Sequence, residues 1–296
     1  MDSRMKSKGF AKQLPNLIFA AVFFVGLGIF LYPSVSNYIN TKNQSRTVTD
    51  YEDLMSTLTE EDYNTYWQTA QEYNDKLKER GMNFNLSDEE LAEYHSVLDP
   101  TGTGVMGHIE IEKLGVDLPV YHDVTESVLQ VGIGHIPGSS LPAGTTGSHA
   151  ILSGHRGLPS AKLFSELDQM IEGDTFLLHI MNQTFAYQVD NIQIVLPEET
   201  QGLTIYPDQD YVTLVTCTPY GVNTHRMLVR GRRVDYNEET RLIVPADATK
   251  FNNLVVAPFI AGPIILVLFI WFVASTSDRG KKKKSATVDD LRRPSR

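Results

Sequence analysis

Cysteine is nearly absent from this chain of 296 residues, because Cys217 is the only one. A lone cysteine cannot form an internal disulfide, which removes the usual structural reason for a cysteine in a protein outside the cell. Chemical reactivity then becomes the leading explanation, since a thiolate is a strong nucleophile. The alternative is a buried cysteine that packs as a small apolar side chain.

Basic residues are scarce in the central part of the chain. The segments up to residue 33 and beyond residue 250 hold 12 of the 26 basic and 4 of the 36 acidic residues, which leaves 14 basic against 32 acidic residues between them, a net charge of −18. Such an acidic part argues against nucleic acid as a ligand. It provides a soluble surface and favours basic partners over acidic ones.

Charged residues are missing from two long apolar segments, Leu17 to Tyr32 and Leu254 to Ala274. A membrane span needs about 20 apolar residues. We therefore predict a transmembrane anchor over residues 14–33 and a transmembrane helix over 253–275. A cleavable signal peptide is the alternative for the first segment, but residues 32–36 are a poor match to a small-x-small cleavage site.

Basic residues flank both apolar segments: Arg4 and three lysines precede the first, and Lys281 to Lys284 follow the second. Because basic flanks stay in the cytoplasm, both termini are predicted to be cytoplasmic, with the chain between them outside the cell and membrane lipid around both spans. The predicted parts are a basic N-terminus 1–13, the anchor or signal segment 14–33, a helical region 34–106, a β-rich domain 107–240, a linker 241–252, the transmembrane helix 253–275 and a basic tail 276–296.

The region before the β-rich domain has a helical pattern. Apolar residues recur at three- and four-residue steps from Thr47 to Arg80, which predicts one long helix ended by Gly81. A Ser-Asp-Glu-Glu capping box opens a second, short helix predicted over residues 87–97. Between the two helices, residues 82–86 form a linker that exposes one aromatic side chain, Phe84.

From Gly107 onward the pattern changes to short β segments separated by Gly, Pro and Asn. One short helix is predicted among them, from Ser160 to Leu167. Many short strands at this spacing favour a barrel or a sandwich. The predicted strands are His108–Ile111, Val116–Tyr121, Ala150–Ser153, Thr175–Ile180, Thr184–Val195, Tyr211–Thr216 and Met227–Arg233.

The single cysteine lies where a predicted strand ends. Tyr211 to Thr216 is β-branched and apolar and Pro219 stops it, so Cys217 stands where a rigid strand opens into a loop. A thiol needs a nearby imidazole, cation or helix N-terminus to supply thiolate at neutral pH. His155 is the best candidate, because it follows the apolar strand Ala150 to Ser153 and enters a glycine-containing turn. The alternative is an ordinary strand-end histidine that bonds to the backbone.

An arginine beside the thiol could stabilise the oxyanion that acyl transfer generates, since its guanidinium donates in a fixed fork. Arg226 begins the strand Met227–Arg233, which would return antiparallel to the cysteine strand. Arg230 and Arg232 alternate with Arg226 along that strand, so the pleat alone leaves them as alternatives, and a surface salt bridge is the other role for each. His225 is near the cysteine in sequence and is predicted to be a loop residue.

The other histidines show no catalytic setting and no HxxxH or Cys–His spacing of the kind that binds zinc. We therefore expect neither a metal nor another cofactor. These residues are His108, His122, His135, His149 and His179.

Taken together, these residues resemble the sortases, a family of bacterial cysteine transpeptidases. Thr213 to Cys217 reads Thr-Leu-Val-Thr-Cys and is similar to the family's Thr-Leu-x-Thr-Cys signature. The resemblance covers about residues 15 to 275, and two flanking membrane segments are typical of the class C, pilin-polymerising branch. Further stretches that are similar to class C are Met106–Ile111, Ser153–Gly157, Leu158–Phe164 and Gly221–Arg226.

The resemblance implies roles for the candidate residues. Cys217 would be the nucleophile, His155 the general acid and base, and Arg226 the cation that stabilises the oxyanion. Leu214 and Thr216 of the signature would line the substrate site. The implied fold is mostly β, an eight-stranded sortase β-barrel over 107–240 with N-terminal helices, flanked by two transmembrane helices.

The resemblance also implies a substrate and partners. Sortases cleave a C-terminal Leu-Pro-x-Thr-Gly signal of a surface protein between Thr and Gly and form an acyl-enzyme. In class C a lysine amine of another pilin subunit resolves the acyl-enzyme as an isopeptide bond. The expected partners are therefore pilins or other surface proteins that carry such a signal.

One departure from class C concerns the lid, usually an Asp-Pro pair followed by an aromatic residue that plugs the active site. Here Asp99-Pro100 is followed by Thr101 and lies at the junction with the barrel, whereas the lid position holds Met82 to Phe84, with neither Asp nor Pro. We predict that Phe84 still covers the cysteine.

Three alternatives stay open at this stage. A housekeeping sortase would attach surface proteins to the cell wall. A membrane-tethered cysteine hydrolase would use the same three residues with water as the acceptor. A non-catalytic surface receptor or scaffold would bury Cys217 as an unreactive side chain.

Overall fold

The computed structural model describes residues 3–236 and 260–272. The described residues fall into two compact units, one made of residues up to 35 together with 260–272, and the other beginning at Ser36. The predicted linker 241–252 and tail 276–296 lie outside the described residues, as do both ends of the predicted segment 253–275.

The first unit consists of apolar helix. Helix α1 runs from Ser3 to Met55, and from Ile18 onward it is the one helix in the described part of the chain with the length and composition to cross a membrane. The apolar helix α5, Ile260–Phe272, is shorter, so the prediction of a second span is not confirmed. The two helices stack their aromatic rings, with the Phe23 and Phe269 centroids 3.9 Å apart.

The predicted helix from Thr47 to Arg80 is wrong at its start and in its middle. α1 passes through Thr47 without a break and ends at Met55, and α2 runs from Glu60 to Arg80. The interruption has a local cause, because the Thr59 side chain accepts a bond from the Asp62 backbone and the Asp62 carboxylate accepts one from the Thr59 backbone. This capping box starts a new helix there.

The one capping box that was predicted, at Ser87, is confirmed. Helix α3 runs from Asp88 to His95, and the Ser87 and Glu90 side chains each accept the other residue's backbone N–H. A further short helix, α4, spans Glu126–Leu129. The helix predicted from Ser160 to Leu167 does not form, because Leu163 adopts a left-handed backbone with φ of 40°.

The β-rich part forms eight strands, seven of which were predicted. The missed strand β3 has only three residues and contains Gly134, so it carries too little pattern to detect. The strands are β1 Val105–Ile111, β2 Val116–His122, β3 Ile133–His135, β4 Ser148–Ser153, β5 Thr175–Ile180, β6 Gln183–Val195, β7 Asp210–Thr218 and β8 His225–Val234.

These strands close into a barrel in the order β1-β2-β3-β4-β7-β8-β6-β5, which confirms the predicted eight-stranded architecture with N-terminal helices. Two of the pairings, β2 with β3 and β4 with β7, are parallel. Because parallel strands end at the same edge, whatever follows β4 lies beside whatever ends β7.

Candidate active site

The register of β4 against β7 brings two of the predicted site residues to one end of the barrel. Ser153 pairs with Val215, and the backbone N–H of Gly154 donates to the Val215 carbonyl at 3.0 Å. In a parallel pair, the residues two positions further on stand at the same level. His155 and Cys217 therefore lie side by side where the two strands finish.

The third predicted residue enters from the opposite neighbour of β7. Arg226, near the start of β8, is the antiparallel partner of Cys217. Side chains of directly opposed residues project to the same face of a sheet. Cys217 thus pairs with Arg226 on one side and adjoins the end of β4, which leads into His155, on the other. The catalytic roles predicted for these three residues stay predictions.

The face of β7 that carries Cys217 is the outer face of the barrel. Val212 and Leu214 are fully buried in the barrel core, whereas Val215 belongs to a second apolar cluster with Ile151 of β4 and Leu228 of β8. Because side chains alternate along a strand, Cys217 shares the face of Val215. The partly buried thiol therefore borders an apolar floor on the outside of the barrel.

The two signature residues beside the cysteine point the other way. Leu214 is buried in the barrel core, and Thr216 is buried with its hydroxyl donated to the Gly154 carbonyl at 2.8 Å. Neither side chain offers surface to a substrate. The Thr216 hydrogen bond ties β7 to the end of β4, which holds the segments that carry Cys217 and His155 together.

His155 leaves β4 through a tightly packed turn. Its carbonyl accepts the backbone N–H of Phe164 at 3.1 Å, and the Phe164 ring packs so closely on Gly154 that a Cβ there would lie 2.6 Å from it. Any larger residue at 154 would displace His155. The imidazole side chain is 27% exposed, and its Nε2 lies 3.5 Å from the Glu126 carboxylate.

Two of the candidate arginines of β8, Arg226 and Arg230, differ in what they contact. Arg230 makes two bonds to Asp190, at 2.9 and 3.1 Å, and stacks on the Tyr211 ring. Arg226 donates only to the backbone carbonyls of Asn223 and His225, and within residues 3–236 and 260–272 no carboxylate lies at ion-pair distance from it. Its guanidinium therefore keeps positive charge available beside the thiol, which favours Arg226 over Arg230.

One prediction near the site is wrong. His225 is not a loop residue, because it begins β8 and pairs with Thr218. Its Nδ1 lies 2.9 Å from the Thr224 hydroxyl, so this ring nitrogen forms a hydrogen bond with the preceding residue.

Sequence reasoning missed a second arginine at the site. The side chain of Arg156 is only 8% exposed; its Nη1 donates to the Thr218 hydroxyl at 3.1 Å and its Nη2 to Asp168 at 2.6 Å. Arg156 thus joins the segment after His155 to the residue after Cys217. The place of Arg156 at the site follows from its contacts with Thr218 and Asp168. Nothing in the local sequence around Arg156 predicts either contact.

The linker between α2 and α3 lies against the apolar floor. Met82 packs on the cluster of Ile151, Val215 and Leu228, and the Asn83 carbonyl sits so close to Gly138 that a Cβ there would be 1.8 Å away. The Phe84 side chain is 40% exposed. Met82 is therefore the linker side chain that covers the surface next to the thiol.

His149, for which the sequence predicted no catalytic setting, lies near the other end of β4. Its Nδ1 lies 2.8 Å from the Thr204 carbonyl and its Nε2 lies 2.7 Å from the Thr213 hydroxyl, so one tautomer satisfies both nitrogens. Burial lowers the pKa of His149 to about 4, which keeps it neutral. The bond to Thr204 anchors the β6–β7 loop, whose Leu203 packs on the apolar cluster.

No group of three or more His, Cys, Asp or Glu side chains that could hold a metal ion occurs in the part of the chain that the structure describes.

Comparison with known proteins agrees with this architecture. The sortase-domain family model matches residues 109–234. The solved sortase C1 of Streptococcus agalactiae is 49% identical, with a TM-score of 0.64, and the match covers 65% of this chain and 100% of that one. A solved sortase C of Streptococcus pneumoniae is 37% identical, with a TM-score of 0.59, over 64% of this chain and 97% of that one.

A curated relative matches over a shorter length. Sortase D of Bacillus subtilis is 28% identical over 131 residues, which span 43% of this chain and 63% of that protein. The chain belongs to the sortase family of cysteine transpeptidases, which confirms the family predicted from sequence. The solved structures to which it is similar include class C sortases.

Proposed function

We propose that this protein is a membrane-anchored transpeptidase that cleaves an LPxTG-like signal between Thr and Gly and joins the acyl group to a lysine amine of another pilin subunit. The observation that carries this proposal is the meeting of Cys217, His155 and Arg226 at one end of the barrel, set by the β4–β7 and β7–β8 registers. A thiol, an imidazole and an unpaired cation in one place are the groups that acyl transfer requires.

The proposed reaction has two steps. In the first, the Cys217 thiolate attacks the Thr carbonyl, Arg226 stabilises the oxyanion, and protonated His155 gives its proton to the departing Gly amine as the C–N bond breaks. In the second, a lysine amine attacks the thioester and gives a proton to His155. The C–S bond then breaks, and the thiolate is regenerated as the isopeptide forms.

The apolar floor next to the thiol supports the substrate assignment. Ile151, Val215 and Leu228 form a small hydrophobic surface that begins two residues from Cys217 along β7. The Leu-Pro part of the signal lies on the N-terminal side of the attacked Thr, and such apolar side chains gain free energy when they leave water. Met82 occupies this floor, so we infer that the linker 82–86 must move before a signal can bind.

Similarity to class C structures supports pilin polymerisation as the particular reaction. The pneumococcal sortase C was solved in connection with pilin substrate specificity, and the structural match extends through nearly all of that chain. The N-terminal helical region and the proposed second span at 253–275 favour the same assignment. We infer that both termini are cytoplasmic and that residues 34–250 lie outside the cell.

The test is product analysis with the full-length protein in detergent. Wild type and Cys217→Ala are incubated with an LPxTG peptide, and intact mass is recorded before and after a lysine-containing pilin domain is added. We expect a mass gain equal to the acyl part only when Cys217 is present, followed by transfer to the lysine. Release of free peptide acid alone would make the protein a hydrolase, and transfer to a cell-wall amine but not to a pilin lysine would make it a housekeeping sortase.

A further inference from the structure

A carboxylate faces the imidazole of His155 from the far side of the site. Glu126, the first residue of α4, places Oε2 3.5 Å from Nε2 of His155. That nitrogen is buried and makes no hydrogen bond within standard geometry. A buried N–H with no acceptor costs free energy, so small rotations that shorten the contact with Glu126 are favoured.

Glu126 is itself oriented by its own helix. Gln130, one turn further on, donates from Nε2 to Oε1 of Glu126 at 2.7 Å. This hydrogen bond is the main reason that the pKa of Glu126 is lowered, and the charge of His155 adds to it. The amide occupies one carboxylate oxygen, which leaves the other directed at His155.

The groups around His155 divide its two nitrogens between two tasks. Glu126 approaches Nε2 from α4, while Cys217 and Arg226 come from the strands β7 and β8. The neighbouring Arg156 is held by Asp168 and Thr218. With Nε2–H directed at the carboxylate, Nδ1 remains for proton exchange with the sulfur and with the amines of the reaction.

We propose that Glu126 is a positioning residue, which accepts the Nε2–H of His155, fixes its tautomer and stabilises the imidazolium that faces Cys217. This inference rests on the proposed function, since it assigns Glu126 a task only if His155 moves protons. A carboxylate in this position orients a catalytic histidine and favours its protonated form. Because the Glu126 side chain is 71% exposed, water screens its charge, and we expect an effect smaller than that of a buried carboxylate.

The test uses the full-length protein in detergent with Glu126→Gln, which keeps the shape and removes the charge. We expect kcat to fall by about 10- to 100-fold with KM unchanged, as for loss of a residue that orients a catalytic group. The bell-shaped pH–rate profile should be narrower than that of wild type. Without the carboxylate, His155 should lose its proton at a lower pH than in wild type, and the Cys217 thiolate should form at a higher pH. Glu126→Asp should recover part of kcat, and Gln130→Ala should give an intermediate loss.

Glu72→Gln is the matched control, because Glu72 on α2 accepts the same kind of helical bond from Gln68. It should leave kcat and the pH profile as in wild type. Wild-type kcat and an unshifted profile in Glu126→Gln, with an unchanged Tm, would overturn the inference.

A second readout separates this inference from the proposed function. The rate of Cys217 alkylation by iodoacetamide is measured against pH in wild type and in Glu126→Gln. If wild type forms no acyl-enzyme, the proposed reaction fails, yet a shift of the alkylation curve to higher pH in Glu126→Gln would still establish the Glu126–His155 coupling. Superimposable alkylation curves would reject that coupling whatever the reaction is.

Discussion

Two histidines at opposite ends of β4 show how one strand serves two purposes. His149 is fully buried, and each of its ring nitrogens has a hydrogen-bond partner. His155, just beyond the other end, is partly exposed and has an Nε2 that faces only a carboxylate. The first arrangement stabilises one neutral tautomer, whereas the second leaves a ring nitrogen beside a carboxylate and without a hydrogen bond of standard geometry. The setting, and not the residue type, separates a structural histidine from one suited to chemistry.

The largest expected effect comes from replacing His155, the histidine of this pair that we propose takes part in the reaction. His155→Ala should lower transpeptidation kcat by about 1,000-fold, within the range found for loss of a general acid or base. Its side chain is partly exposed, and the Glu126 carboxylate that it approaches at 3.5 Å is 71% exposed, so the free energy of unfolding should change by less than about 1 kcal/mol.

Steady-state kinetics and urea unfolding of the same preparation check both statements. The companion variant His149→Ala should show the reverse balance, with a clear loss of stability and a kcat much closer to wild type. A His155→Ala protein that keeps its rate would end the proposed role of this residue.

The second effect concerns stability in acid. An unfolded histidine titrates near pH 6.5, whereas burial lowers the pKa of His149 to about 4 and that of His135 to about 3. As the pH falls below 6.5, the unfolded chain takes up protons that the native protein does not, so stability is lost. Each histidine contributes up to about 1.4 kcal/mol per pH unit to this slope.

His149→Gln should remove one such contribution between pH 6.5 and 4. The measurement is the free energy of urea unfolding at several pH values, and an unchanged slope would mean that His149 is not buried as a neutral group.

Asp210 changes the dependence of stability on pH in the opposite direction over part of the same pH range. Burial raises its pKa from 3.8 to about 6, so the native protein takes up a proton before the unfolded chain does as the pH falls from 6. Below pH 6 this uptake partly cancels the slope from the histidines, and Asp210→Asn should make that slope steeper.

The smallest effect tests access to the site that contains His155. Met82→Ala should speed alkylation of Cys217 by about fivefold, because loss of roughly 1 kcal/mol of apolar contact raises the population of open linker by that factor. Phe84→Ala should have a weaker effect, since its ring is more exposed than a covering side chain would be. An unchanged rate in both variants would reject the linker as a cover, whereas a stronger effect of Phe84 would restore the role that the sequence predicted for it.

Local pattern was sufficient for most of the fold. Alternation and turn residues located seven of the eight strands, and a capping box located α3. The break between α1 and α2 was missed, although Thr59 and Asp62 form a capping box there, because apolar spacing continues across it. The short strand β3 carries too few residues for any period to appear.

The local sequence pattern could not predict which distant residues hydrogen-bond to the residues of β4 and of the turn after it. His149 bonds to Thr213, 64 positions away, and Arg156 bonds to Thr218, 62 positions away. Such contacts depend on the parallel register of β4 and β7, which a pair of apolar segments does not specify. The sequence could therefore propose which residues react but not which ones hold them in place.

The closure of the barrel limits how this protein can bind a peptide. β7 is bonded on one side to β4 as far as Val215 and on the other to β8 as far as Thr218, so neither side of the strand is an open edge up to Val215. A peptide therefore cannot pair as an extra strand with this part of β7, and its side chains would carry the recognition there. Among the described residues the closed barrel leaves no strand edge open, so a second protein chain has no free edge there to pair with.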